Sequence, residues 1–400
     1  MNETKQESQL LADAKNIHQE LIAWRRHLHQ HPELGFEEND TSLFVQERLR
    51  QLGIEFQSGI GRTGVVGLIK GDEPGPTVAL RADMDALPIQ DAKNVPYASK
   101  IEGKAHLCGH DAHTTILLGA ATLLTKNKPK KGQVKLIFQP AEEGFGGANE
   151  MIKDGVLKNP DVEIISGLHV HHTAETGFTT VCPGLSSAAT DMFNLTIHGK
   201  GGHAAHPHLS VDSIAVTSEV VSALQQIVSR QVDPIAPLVI TIGKIEGGYA
   251  RNVIAPSVRL EGTVRTLDLQ LRSEIEEKMN RVVKGICDAF GATHELEYEY
   301  GYPSVINDET LIPILQEASD TILGTGKLSL AKPSMGGEDF SYYAQQVPGI
   351  FFRLGIRNES KGTTFPLHHP MFDIDEDALP LGSAMLTQFA LSALRRLENS

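Results

Sequence analysis

Cysteine is scarce in this chain: 400 residues hold three, Cys108, Cys182 and Cys287, odd in number and far apart. No disulfide framework can be built from them, and the scarcity fits a reducing compartment. Positive charge is also in deficit, with 36 Lys and Arg against 50 Asp and Glu and a net charge of -14. A nucleic-acid or anionic-membrane partner would be repelled by that balance. No stretch is long and apolar enough to span a bilayer. The first twenty residues are polar, with no apolar signal core or cleavage site. The expectation is a cytoplasmic protein with no nucleic-acid and no membrane partner. What remains is ordinary globular composition, 40% apolar and 22% charged, at a length that suits two or three domains.

The chain is organised around Cys108-Gly109-His110-Asp111-Ala112-His113, a thiol, two imidazoles and a carboxylate in six positions, followed by the apolar run TTILLGAATLL. Glycine between Cys108 and His110 allows both side chains to face one point, and such ligands suit zinc or a neighbouring transition metal. Other strand ends carry matching chemistry. PTVALRAD (76–83) leads into Asp85, and QVKLIFQP (133–140) leads into the adjacent pair Glu142-Glu143. DVEIISGLHV (161–170) delivers His169, and a proline-flanked loop holds His368 and His369, between which spacing does not choose. In open α/β sheets ligands bind at this edge. Adjacent glutamates diverge, so one can hold a metal while the other reaches a water.

The periodicity predicts one helix over 7–31, a second over 40–52 capped by Asn39 or Asp40 and stopped by Gly53, and a third over 111–126. His27, His29 and His31 read as a basic last turn rather than a metal cluster, since positions two apart on a helix do not face each other. From 187 the order becomes strand 191–199, helix 211–230, strands 238–247 and 257–266, helix 267–290, strand 293–301. This β-α-β-β-α-β order is the ferredoxin-like split pattern. It predicts an insertion, 187–301, within a catalytic domain made of 1–186 and 302–400.

The motifs RADMDALP, CGHDAH, QPAEEG, GLHV, GKGGHAAHP, GTVRT, GGEDF and PLHHP occur in this order over nearly the whole chain. Together they resemble the metal-dependent amidohydrolases of the aminoacylase and carboxypeptidase G superfamily. The branch is that of hippurate hydrolase, indole-acetyl-amino-acid hydrolases and bacterial N-acyl-amino-acid aminoacylases. The resemblance implies a zinc-exopeptidase-like α/β domain, with a central mostly parallel sheet flanked by helices, and an inserted ferredoxin-like dimerisation or lid domain. It implies two divalent ions per subunit (Zn, Mn, Co or Ni), with Cys108 bridging, His110 and Glu143 on one ion, and His169 and His368 on the other. Asp85 would orient a ligand histidine, Asp111 and His113 would be structural, and Glu142 would be the general base. His203 would steady the oxyanion in a partner subunit of a homodimer, and Asn252, Gly336 and Gly337 would contact substrate. The implied reaction is hydrolysis of N-acyl amino acids by a metal-bound water, with a dipeptidase or carboxypeptidase as the alternative. A Cys–His nucleophile is the rival mechanism, but it leaves Glu142, Glu143, His169 and His368 without roles. A non-catalytic binding module would have no use for Glu142, and a deaminase would need a Pro-Cys-x-x-Cys that is missing.

Overall fold

In the computed structural model, which describes residues 3–399, the chain divides into two compact units. The larger spans Met1–Ser186, Val305–Lys332 and Asp339–Ser400; the smaller spans Ser187–Ser304 and Pro333–Glu338.

Helices α1 (Glu3–Asn16), α2 (His18–Gln30) and α3 (Asn39–Gln51) come first. The single helix expected over 7–31 is broken at Ile17, so that two helices lie against the core. Neither Asn39 nor Asp40 caps α3. The Glu33 carboxylate instead accepts the amides of Asn39, Asp40 and Thr41 at 3.1, 3.1 and 2.8 Å, meeting the unpaired donors of that helix start from outside it.

Strands β1 (Glu55–Ile60), β2 (Gly64–Lys70), β3 (Glu73–Asp83), β4 (Lys131–Gln139), β5 (Ile164–Glu175) and β6 (Thr179–Val181) follow, with α4 (His110–Lys126) and α5 (Gly147–Lys153) between them. They join two strands that arrive after the insertion, Leu328–Leu330 and Gly349–Arg357, in one eight-stranded sheet. Its order is β1-β2-β4-β3-β5, then Gly349–Arg357, β6 and Leu328–Leu330. The four central strands are mutually parallel, and antiparallel pairings lie outside them. The period of two is legible in the packing. Val78, Leu80 and Ala82 of β3 join one core, while Ala79 joins a second core on the opposite face. A sheet buried on both faces needs such near-continuous apolar strands. Helix α4 is buried along 110–124. At Gly119 a methyl group would lie 2.2 Å from Ser383 Oγ of the closing helix Ala378–Glu398, so glycine sets how closely these two helices pack.

The smaller unit contains four long strands, Ala189–His198, Leu238–Gly247, Ser257–Thr266 and Thr293–Tyr300, with helices Ser213–Gln226 and Leu269–Phe290. Numbered one to four in chain order, the strands lie 2-3-1-4 in an antiparallel sheet. That is the expected ferredoxin-like arrangement. The segment Pro333–Glu338, read from sequence as part of the catalytic domain, packs with the smaller unit. Ala188 N–H lies within hydrogen-bond reach of Ser334 O (3.0 Å) and Gly336 O (3.1 Å), and Arg265 donates to Met335 O (3.2 Å).

Candidate active site

The site of the larger unit is assembled from the four neighbouring central strands: from the segments that follow β3, β4 and Gly349–Arg357, and from β5 itself. Gly109, at φ +91°, turns the chain from Cys108 into α4, and an added Cβ there would lie 2.3 Å from Val170 Cγ2. Only glycine tolerates both that conformation and that approach. His169 lies six residues into β5 rather than at its end. Pairing of β5 with β3 stops at Gly167, however, so His169 lies past the stretch paired with that neighbour.

Three overlapping groups of side chains converge. Ligating atoms of Cys108, His110 and His169 lie within 4.8 Å of one another, as do those of Cys108, Glu143 and His368, and those of His110, Glu142 and Glu143. Cys108 belongs to both of the first two groups, the position a bridging ligand would take. The grouping differs from the expected division in one respect: His169 and His368, expected on one ion, share no group. His169 instead approaches Cys108 Sγ at 3.4 Å, and His368 Nε2 lies 3.3 Å from Glu143 Oε1. His369 turns elsewhere, accepting the Met371 amide at 3.0 Å and stacking on Phe365.

The hydrogen bonds around these groups orient them for a cation. His110 Nδ1 lies 3.1 Å from Asp85 Oδ1, and the other Asp85 oxygen accepts the Glu143 amide at 2.9 Å. A proton on Nδ1 leaves the Nε2 lone pair facing inward, and this Nε2 is buried without a hydrogen-bond partner. Glu143 Oε1 is likewise buried and makes no well-aligned hydrogen bond, with the His368 ring 3.3 Å away. His169 Nδ1 donates to Val170 O at 2.7 Å, which turns its Nε2 toward Cys108. Buried nitrogen and oxygen atoms without partners are costly, and a metal ion bound by soft and borderline donors satisfies both. The residues present fit such a group.

The electrostatics fit as well. Burial pushes the Cys108 thiol well up, and the carboxylates of Glu143, Glu142 and Asp83 push it further. A nucleophilic thiolate needs the opposite surroundings, whereas a bound cation draws the proton off. Burial holds His169 well below the usual imidazole range, in the neutral form that ligates. For His110, burial opposes the charge but Asp83 and Asp85 outweigh it, raising the group to about 10, so here too a bound cation would have to displace a proton to reach Nε2.

Several residues that matter here were not singled out from sequence. Glu38, fully buried, accepts the Ala141 amide at 2.8 Å and the Thr63 hydroxyl at 2.6 Å. It thereby holds the peptide before Glu142 at a residue with φ +56°. His113 and Asp111 are structural in a definite sense. His113 Nδ1 lies 2.6 Å from Asp83 and its Nε2 accepts the Val170 amide at 2.9 Å. Asp111 accepts Arg25 Nε at 2.9 Å and lies 2.6 Å from His29 Nδ1. The basic-turn reading therefore misses His29, which is buried between Asp111 and Asp91. Its spacing from Leu21, Trp24, Arg25 and Leu28 on one buried face was the available signal.

The remaining predicted residues lie in the smaller unit. His203 and Val253 face each other on a two-residue ladder, Asn252 O accepts the Ala204 amide at 3.1 Å, and the His203 and Asn252 side chains are exposed. Gly336 and Gly337 are exposed, and a methyl on Gly337 would lie 2.5 Å from Thr190 Cγ2. His206 and His208 are exposed.

The sequence pattern of peptidase family M20/M25/M40 matches residues 79–392. Thermostable carboxypeptidase 2 of Saccharolobus solfataricus is 42% identical over 376 residues, covering 93% of this chain and 94% of that protein. N-acetyl-L-cysteine deacetylase of Bacillus subtilis is 41% identical over 387 residues, covering 96% and 90%. The crystal structure of the Bacillus subtilis YXEP protein, a dinuclear metal binding peptidase from the M20 family, is similar with a TM-score of 0.83 at 38% identity, covering 95% of this chain and 99% of that one. The chain belongs to this family, as a metal-dependent amidohydrolase.

Proposed function

We propose that this protein hydrolyses the amide bond of N-acyl amino acids, releasing a carboxylic acid and a free amino acid. The observation that carries the reading is the convergence of Cys108, His110, Glu143, His169 and His368 around buried, unpartnered ligand atoms, with buried Glu142 beside them. Two divalent ions (Zn, Mn, Co or Ni) would be held there, one by Cys108, His110 and His169 and the other by Cys108, Glu143 and His368. When bound, such ions polarise a carbonyl and make a water more acidic. Glu142 accepts the proton of the attacking water and returns it to the departing amine, the ordinary work of a general base and acid. Asp85 keeps His110 in the ligating tautomer and fixes the Glu143 backbone.

His203, on an exposed two-residue ladder, and Asn252, which directly precedes the facing strand, would serve the oxyanion and the substrate across a homodimer formed through the smaller units, with Gly336 and Gly337 as further substrate contacts. Three unpaired cysteines support a cytoplasmic setting, and no helix among the described residues is long and apolar enough to cross a membrane.

A relative named as a deacetylase of an N-acetyl amino acid supports the acyl-amino-acid reading. A relative named as a carboxypeptidase keeps a peptidase on short peptides as the second reading. A panel of N-acetyl, N-benzoyl and indole-acetyl amino acids against dipeptides, run with Mn and with Zn, separates them. Higher kcat/KM on the acyl amino acids is the expected result; preference for dipeptides overturns it.

A further inference from the structure

The motif around Cys108 leaves Asp111 without chemistry, although it adjoins a proposed ligand and is completely buried. Its partner is Arg25 of α2, also completely buried. The Arg25 fork reaches two carboxylates at once, Nε donating to Asp111 Oδ2 at 2.9 Å and Nη2 to Asp373 Oδ1 at 2.8 Å. Asp111 follows His110 at the start of α4. Asp373 closes the loop that carries His368.

That loop needs outside support. His368 has φ +65°, a conformation a non-glycine residue keeps only where its surroundings hold it. Several supports hold it, among them the Ala92 amide, which donates to Pro370 O at 3.0 Å. His368 N–H donates to Leu107 O at 2.8 Å, next to Cys108. Lys93 Nζ donates to Phe372 O at 2.7 Å, Tyr97 donates to Asp373 Oδ2 at 2.8 Å, and Arg25 takes the other Asp373 oxygen. Arg25 is thus the one of these supports whose side chain also holds the residue beside His110. A buried ion pair is weak grounds for stability, because removal of both charges from water offsets their attraction. A planar fork with fixed N–H directions does set the spacing between the two carboxylates it grips, which a lysine ammonium cannot do.

We propose that Arg25 is a positioning residue that couples the two ligand groups, fixing His110 through Asp111 and the His368 loop through Asp373. The proposal rests on the two-ion reading above. Its consequence is that loosening the Asp373 end weakens one ion and spares the other.

The test uses the full-length protein loaded with Zn, titrated with a chromophoric chelator. Asp373→Ala should weaken one ion per subunit by about 10–100-fold, the usual effect of losing a group that orients a ligand, and leave the second unchanged. Asp373→Asn, which keeps an acceptor for the fork, should recover most of the loss. His368→Ala should lose the same ion, and Asp373→Ala added to it should weaken binding no further. Arg25→Lys, which loosens the Asp111 end as well as the Asp373 end, should weaken both ions if it folds; if it does not, the Asp373 variants decide. Unchanged affinity for both ions in folded Asp373→Ala overturns the proposal. So does equal loss of both ions in that variant together with a lowered melting temperature, the mark of a purely structural role. A wild-type protein that holds fewer than two ions would instead overturn the two-ion reading itself.

Discussion

The two units bury polarity in opposite ways. The smaller unit buries only two charged side chains, Asp191 and Glu338, and Asp191 is gripped by Arg272 at 2.7 Å and by the Tyr298 hydroxyl at 3.0 Å. The strands there alternate inward apolar with outward polar residues, and a single cluster of Phe193, Leu195, Ile197, Leu260, Val264, Ile275, Met279 and neighbours holds the fold. The larger unit buries Arg25, Glu38, Arg81, Asp83, Asp85, Asp91, Lys93, Asp111, Glu142 and four histidines. Burying ions is costly unless each is paired and hydrogen-bonded. The contrast shows where the molecule spends stability on fixed geometry: around the ligand groups.

That contrast can be broken by mutation. Glu142→Gln should lower kcat by about 10²–10⁴-fold, the range for a lost general base, with metal content by atomic spectroscopy and circular dichroism unchanged. Turnover at the wild-type rate would remove Glu142 from the mechanism. His203→Ala, in the smaller unit, should lower kcat by about 10²-fold, again with metal content unchanged, because its side chain belongs to none of the ligand groups. An unimpaired rate would confine the chemistry to the larger unit and sharpen the division further.

A smaller effect concerns Glu38. Burial raises it from an ordinary 4.5 to about 7, and the Thr63 and Ala141 hydrogen bonds only partly offset this. Between those values the unfolded chain has released a proton that the folded chain keeps. Stability should therefore fall as pH rises from about 4.5 to about 7. In Glu38→Gln that contribution is absent, so denaturant midpoints of variant and wild type should diverge across this window. Parallel curves would mean Glu38 is already ionised in the folded protein.

The smaller unit was almost fully legible in the sequence. Strands 238–247 and 257–266 form over the expected residues, and the other two lie within two residues of theirs. Alternation and turn chemistry decide such elements locally. The exception is Pro333–Glu338, whose packing with Ala188 and Arg265 is a long-range fact that no local pattern carries. In the larger unit the strand ends and their ligand types were readable, because metal-binding side chains are few and distinctive. The division of His169 and His368 between the groups was not, since one sits inside β5 and the other on the long segment between Gly349–Arg357 and the closing helix, and no local pattern says where each comes to rest. Nor were Arg25, His29 and Glu38, which look like surface residues until the fold shows the carboxylates and amides they meet.

The most direct test of the central claim is turnover of an N-acyl amino acid through a cycle of metal removal and return. The expected result is that a chelator abolishes activity as two ions per subunit are lost, and that Mn, Co or Zn restores it. Activity that persists in metal-free protein but is lost on alkylation of Cys108 would contradict the account.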